Sequence, residues 1–140
     1  MATLKDVKRL KYLCEKYELE GREILDHFTN AQLQRVYNGI GPESFPNWVR
    51  GLINFLHPTL EPSAFIHDAE WELSDGTKES FAASNDRFKR NGYKPAKAEF
   101  GWWRPRRYVV MNQARRFGNI CQAFGWDAWM EPYKERTKKS

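Results

Sequence analysis

The sequence predicts an all-α chain on three observations. Apolar residues recur at three- and four-residue steps, helix-start and helix-stop residues punctuate the chain at helical lengths, and no useful stretch alternates apolar with polar as a strand would. From Leu4 to Tyr17 the positions Leu4, Val7, Leu10, Cys14 and Tyr17 are separated mostly by charged residues, which makes an amphipathic helix. A second helical stretch is expected through Glu23 to Phe28. Thr29 or Asn30 can cap a third, running through Leu33 and Tyr37 to a stop at Asn38-Gly39. Three short helices in that space fit a helix-turn-helix as well as a small bundle.

Turn chemistry follows in Gly39-Ile40-Gly41-Pro42 and Phe45-Pro46-Asn47, a structured loop leading to an apolar segment with Leu52, Ile53, Phe55 and Leu56. Pro62 suits the first turn of a helix over about Ser63 to Leu73, which Ser74-Asp75-Gly76 breaks. Thr77 caps the next helix, with Phe81, Asn85 and Phe88 on one face and Asn91-Gly92 as its stop. The short turn between these two helices makes them antiparallel neighbours. After a loop with Pro95 and Trp102-Trp103, Pro105 opens a long helix through Val110, Phe117, Cys121 and Phe124 to Gly125. The Lys/Arg-rich residues beyond Pro132 are expected to fray.

A length of 140 residues sets the expectation of one domain, divided into a helical N-terminal extension (1–36), a core (37–130) and a basic tail (133–140). No run approaches the roughly 18 consecutive apolar residues of a membrane span, and the start has no apolar stretch of signal-peptide type. An aromatic content of 15% argues against disorder as the dominant state. Cys14 and Cys121 cannot make a disulfide framework, and without a Cys-x-x-Cys pair the chain lacks a zinc signature. A net charge of +5 favours anionic partners, phospholipid headgroups and nucleic acid alike.

The chemistry-bearing residues gather on the antiparallel pair. His67 and Asp68 are adjacent on the first helix, Trp71 lies one turn on from His67, and Asp86 comes 19 residues after His67 on the second. A hairpin of helices brings residues at this separation to similar heights, so Asp86 can orient the imidazole and stabilise its cation while the other ring nitrogen activates a water. The same residues also fit a buried histidine bonded to an acid for structural reasons. In Tyr37-Asn38-Gly39-Ile40-Gly41 the glycines allow backbone carbonyls to turn inward. The carbonyls of Tyr37, Gly39 and Gly41 with the carboxylate of Asp68 make an oxygen set suited to Ca²⁺.

Tyr37-x-Gly39-x-Gly41, His67-Asp68 and an aspartate on the following helix resemble the calcium loop and catalytic helices of the secreted phospholipase A2 superfamily. The closer resemblance is to its disulfide-poor branch, the phospholipase domains of parvovirus capsid proteins and small phage or prophage proteins. It covers about Tyr37 to Trp129, through Asn38-Gly39-Ile40-Gly41-Pro42-Glu43, Ile66-His67-Asp68, Asn85-Asp86-Arg87-Phe88 and Phe124-Gly125-Trp126-Asp127-Ala128-Trp129. The resemblance implies a Ca²⁺-dependent ester hydrolase with His67 as general base, Asp86 as its partner, and Asp68 with the carbonyls of Tyr37, Gly39 and Gly41 around the ion. It also implies a phage or prophage setting, in host cytoplasm or virion. The superfamily usually has a tyrosine where this chain has Trp71, which would take that residue's place in the catalytic network. A non-catalytic phage structural or DNA-associated protein on the same scaffold is the alternative.

Basic and aromatic residues interleave in Trp102-Trp103-Arg104-Pro105-Arg106-Arg107-Tyr108. This reads as an interfacial patch for a phospholipid membrane, as a surface for nucleic acid, or as core tryptophans beside a solvated helix start. His27 and His57 have no partner pattern and are assigned to structure or surface.

Overall fold

The computed structural model describes residues 2–37 and 56–138. Among these the chain is all-α, with six α-helices, two short 3-10 turns and no strand. Helix α1 (Leu4–Lys16) starts in a capping box in which Thr3 Oγ1 accepts from the Asp6 amide and the Asp6 carboxylate accepts from the Thr3 amide. Helix α2 (Asn30–Val36) repeats the device with Thr29 and Gln32. Such a cap is worth about 1 kcal/mol, which matters for a helix as short as α2.

The stretch expected from Glu23 to Phe28 is a 3-10 turn, Arg22–His27, rather than an α-helix. It begins at Gly21, whose φ of 80° favours glycine, and a Cβ there would meet Glu70 and Arg87 side-chain atoms at 2.8 and 2.9 Å. The loop and apolar segment expected between Asn38 and Phe55 lie outside the described residues.

Helix α3 (Glu61–Glu72) carries proline in its first turn, follows the 3-10 turn Pro58–Leu60, and is buried on most of its circumference. Phe65, Ile66 and Ala69 pack into one apolar cluster with Val7, Leu10, Leu19, Leu25 and Leu33. Leu60 and Trp71 pack into a second with Phe81, Phe88, Val110, Ala114, Phe117 and Trp129. The N-terminal extension and the remaining helices thus share α3 as a common wall.

Helix α4 (Lys78–Glu99) is capped by Thr77 and continues through Asn91-Gly92 and Pro95, where the sequence predicts a stop. Tertiary packing overrides the local signals. Asn91 brackets the backbone of Glu20, its Oδ1 accepting from the Glu20 amide at 2.8 Å and its Nδ2 donating to the Glu20 carbonyl at 2.9 Å. Gly92, Pro95 and Ala96 are all buried. Helix α5 (Pro105–Phe124) matches its expected limits and ends at Gly125. Helix α6 (Trp126–Lys138) replaces the frayed tail: Arg136 donates from Nη1 to the Glu72 carbonyl at 2.8 Å and from Nη2 to that of Ser74, tying the last turn back to the end of α3. No described helix is long and apolar enough to cross a membrane.

Gly92 fixes how closely α4 and α5 approach, since a Cβ there would lie 2.6 Å from Ala114 Cβ and 2.9 Å from Leu60 Cδ2. Glycine to alanine in an exposed helix stabilises by about 1 kcal/mol, whereas overpacking costs about 1–3 kcal/mol. Gly92→Ala is therefore expected to lower stability in urea denaturation, and a stabilised variant would contradict this packing.

Candidate functional site

The register of α3 on α4 follows from three side-chain pairs. His67 meets Asn85, Trp71 meets Ser84 and Glu70 meets Arg87, so one turn of α3 faces one turn of α4. His67 is 5% exposed. Its ring lies 4.6 Å from that of Trp71 and 5.4 Å from that of Phe88, centroid to centroid. Its polar partner is Asn85, whose Oδ1 lies 2.8 Å from His67 Nε2. Asn85 Nδ2 donates to Gln122 Oε1 at 2.7 Å, so the amide oxygen is the atom that faces the ring. His67 Nε2 therefore donates, and the neutral ring carries its acceptor lone pair on Nδ1. Burial pulls the imidazole down to about 4, only partly opposed by the bond to Asn85, so the ring is neutral at pH 7.

This corrects the expected partner. Asp86 has a side chain 61% exposed and faces Lys89 at 3.7 Å in solvent, one helical position round from the residue that reaches His67. The reason is angular: Phe81, Asn85 and Phe88 share the stripe that packs inward, and a step of one residue turns the side chain by about 100°. Trp71 contributes differently from a tyrosine hydroxyl. Its indole donates to Ser84 Oγ at 2.9 Å, and Ser84 in turn donates to the Phe81 carbonyl at 2.8 Å.

Asp68 diverges from its neighbour. It keeps an accessible edge on a cleft of about 640 Å³, which Phe28, Gln32, Trp71 and Arg136 also line. Burial raises its carboxyl to about 8, and no described basic side chain lies close enough to oppose the shift. Tyr37 comes near it: burial raises the phenol, and the carboxylates of Glu61 and Asp68 add to the shift. The Tyr37 ring sits edge-on to Phe65 at 5.5 Å. Gly39 and Gly41 lie outside the described residues. Among the described residues no group of three or more His, Cys, Asp or Glu is placed to hold a metal.

A second cleft of about 720 Å³ opens on the other side of α3, lined by Glu20, Glu23, Glu70, Asp75 and Arg87 among others. Glu70 is buried and accepts from Arg87 Nη1 at 2.8 Å. Burial lifts its carboxyl to about 7 against the pull of Arg87. Asn85, Ser84, Gln122 and this ion pair were not singled out from the sequence. For Asn85 the signal was present, because it belongs to the apolar stripe of its own helix.

His57 is structural, its Nδ1 accepting from the Thr59 amide at 3.2 Å while its own amide donates to Gln113 at 2.8 Å. His27 is exposed at the rim between the two clefts. Both cysteines are buried and free, with thiols raised by burial, and they are inert. Trp102 and Trp103 are not core residues, being 74% and 68% exposed. Arg104 and Arg106 are exposed beside them, Arg107 is half-buried, and the Tyr108 hydroxyl donates to the Trp102 carbonyl at 2.6 Å.

No family model, curated protein or solved structure gives a significant match to this chain.

The Asp68 carboxyl titrates near 8 when folded and near its ordinary 3.8 when unfolded. The folded state therefore holds a proton the unfolded chain has released, and the stability this gives is complete below pH 3.8 and lost as pH rises to 8. Asp68→Asn mimics the protonated form. Without divalent cations it should exceed the parent in stability at pH 8 by about 1–3 kcal/mol, the penalty of an uncompensated buried charge. Urea denaturation should find the difference gone near pH 4, and equal stability of the two proteins at pH 8 would contradict the assignment.

Proposed function

We propose that the chain is a phospholipase A2-like ester hydrolase of phage or prophage origin, with His67 as a base that Asn85 holds in one tautomer but does not strengthen. The observation that carries this reading is the division of labour at two adjacent residues. His67 commits Nε2 to the neighbouring helix, and Asp68 presents an unneutralised carboxyl to a cleft. His67 Nδ1 takes a proton from water as the water oxygen attacks the ester carbonyl carbon, and gives the proton to the departing alkoxide. Asn85 fixes the orientation of the ring.

The carboxyl of Asp68 and its nearness to Tyr37 suit the oxygen ligands of a hard cation, and the carbonyls of Tyr37, Gly39 and Gly41 would complete the set. When bound, Ca²⁺ would supply polarisation of the ester carbonyl. Asn85 also sets a limit on rate. An amide oxygen accepts the Nε2 proton without bringing the negative charge that steadies an imidazolium, and in an aromatic cage that cation is costly. The base is therefore weak. The same observation favours a second reading, a non-catalytic phage structural or DNA-associated protein that keeps the scaffold.

Hydrolysis of short-chain and vesicle phospholipid with millimolar Ca²⁺ separates the two. The hydrolase reading expects slow turnover that His67→Gln lowers by at least about a hundredfold, the scale of a lost general base. It also expects Asn85→Asp to raise turnover and changes at His27 and His57 to leave it unaltered. No hydrolysis by either the parent or Asn85→Asp would leave the scaffold reading. In the same samples Ca²⁺ should raise the melting temperature of the parent but not of Asp68→Asn, because a ligand of the native state adds stability as its concentration passes Kd.

A further inference from the structure

The five arginines Arg104, Arg106, Arg107, Arg115 and Arg116 are the only charged residues between Phe100 and Trp126. The whole net charge of +5 resides there, since the rest of the chain holds 18 basic and 18 acidic residues. The same segment holds Trp102, Trp103, Tyr108, Val109 and Phe124, five of the eight large hydrophobic residues that stand exposed among those described. On α5, Tyr108 and Val109 are exposed, and so are Arg115 and Arg116, each seven residues further on, which is about two turns along the same outward side.

These choices run against the stability of the helix they sit on. α5 begins without a side-chain cap and without an acid in its first turn. Arg104, Arg106 and Arg107 crowd the positive end of the helix dipole, where cations are unfavourable. Two tryptophans left mostly in water forgo burial that the fold gives to Trp71 and Trp129. Local rules broken together at one place mark a surface selected for binding.

We propose that this face, from Trp102 along the outer side of α5, docks on an anionic phospholipid bilayer. Tryptophan and tyrosine settle at the level of the headgroups, Val109 reaches the acyl boundary, and the arginines meet lipid phosphates. A bilayer uses every exposed group of the patch. Nucleic acid fits less well, because Arg104 already lies over the Trp103 ring at 5.7 Å and the Phe100 ring at 5.8 Å, so ring faces that would stack on bases are occupied. Val109 has no plane to stack. The docking does not require His67 to be catalytic, so it stands or falls apart from the hydrolase reading.

The test is co-sedimentation of the full chain with vesicles of phosphatidylcholine alone and of phosphatidylcholine mixed with phosphatidylserine, at low salt and at about 0.5 M, where exposed charges are screened beyond a few ångströms. Binding is expected to be strong with phosphatidylserine at low salt, with a weaker remainder at high salt and on phosphatidylcholine alone that Trp102→Ala with Trp103→Ala abolishes. Arg104→Gln, Arg106→Gln and Arg107→Gln should each weaken binding at low salt by about fivefold. An unchanged melting temperature in these variants would show that they remain folded. Three results would overturn the proposal: no vesicle binding; vesicle binding indifferent to the tryptophan changes; or steeply salt-dependent binding to duplex DNA in its place. A self-associated chain that does not bind vesicles and that the tryptophan changes dissociate would assign the patch to a second copy instead.

Discussion

A chain of hydrogen bonds from His67 through Asn85 to Gln122 crosses three helices and sets their mutual register. Each link is polar, and the inner one is sealed by Trp71 and Phe88. A donor buried there without an acceptor costs the desolvation of an imidazole N–H, so any slip of α4 along α3 is opposed by more than lost packing. The neighbouring pairs, Trp71 with Ser84 and Glu70 with Arg87, agree with the same register. Gly92 against Ala114 then brings α5 close enough for Gln122 to close the chain.

The same constraint divides α3 by chemistry. Its inward positions hold a neutral imidazole, while Asp68 and Glu70 place carboxyls on clefts to either side, each raised by burial and only Glu70 opposed by a guanidinium. Carboxyls and arginines both line the clefts beside α3, and the excess positive charge of the chain falls in the segment from Phe100 to Trp126. A molecule with its excess positive charge in this one segment is attracted to an anionic surface through it. The residues of the proposed site on α3 and those of the proposed docking face on α5 are different, so one can be altered without the other.

Helices with strong periodicity and local caps were legible in the sequence: α1, α2 and the limits of α5 follow from apolar spacing, Thr3, Thr29, Pro105 and Gly125. The end of α4 was not, because Asn91 and Gly92 are stop residues only when nothing packs on them, and here Glu20, Leu60 and Ala114 do. Nor was α6, whose last turn is held by Arg136 reaching carbonyls more than 60 positions away. At the site, adjacency of His67 and Asp68 was legible but the partner was misassigned by one residue. A carboxylate is the commoner companion of a functional histidine, and that expectation outweighed the helical stripe that places Asn85 inside and Asp86 in water.

The direct measurement is a pH titration of the His67 ring by nitrogen-detected NMR in ¹⁵N-labelled protein, with His67→Gln to assign the signals. A neutral ring protonated on Nε2 should persist from pH 8 through pH 5, with protonation setting in near pH 4. A ring that titrates close to 6.5, or one that carries its proton on Nδ1, would contradict the buried bond to Asn85 on which this account rests.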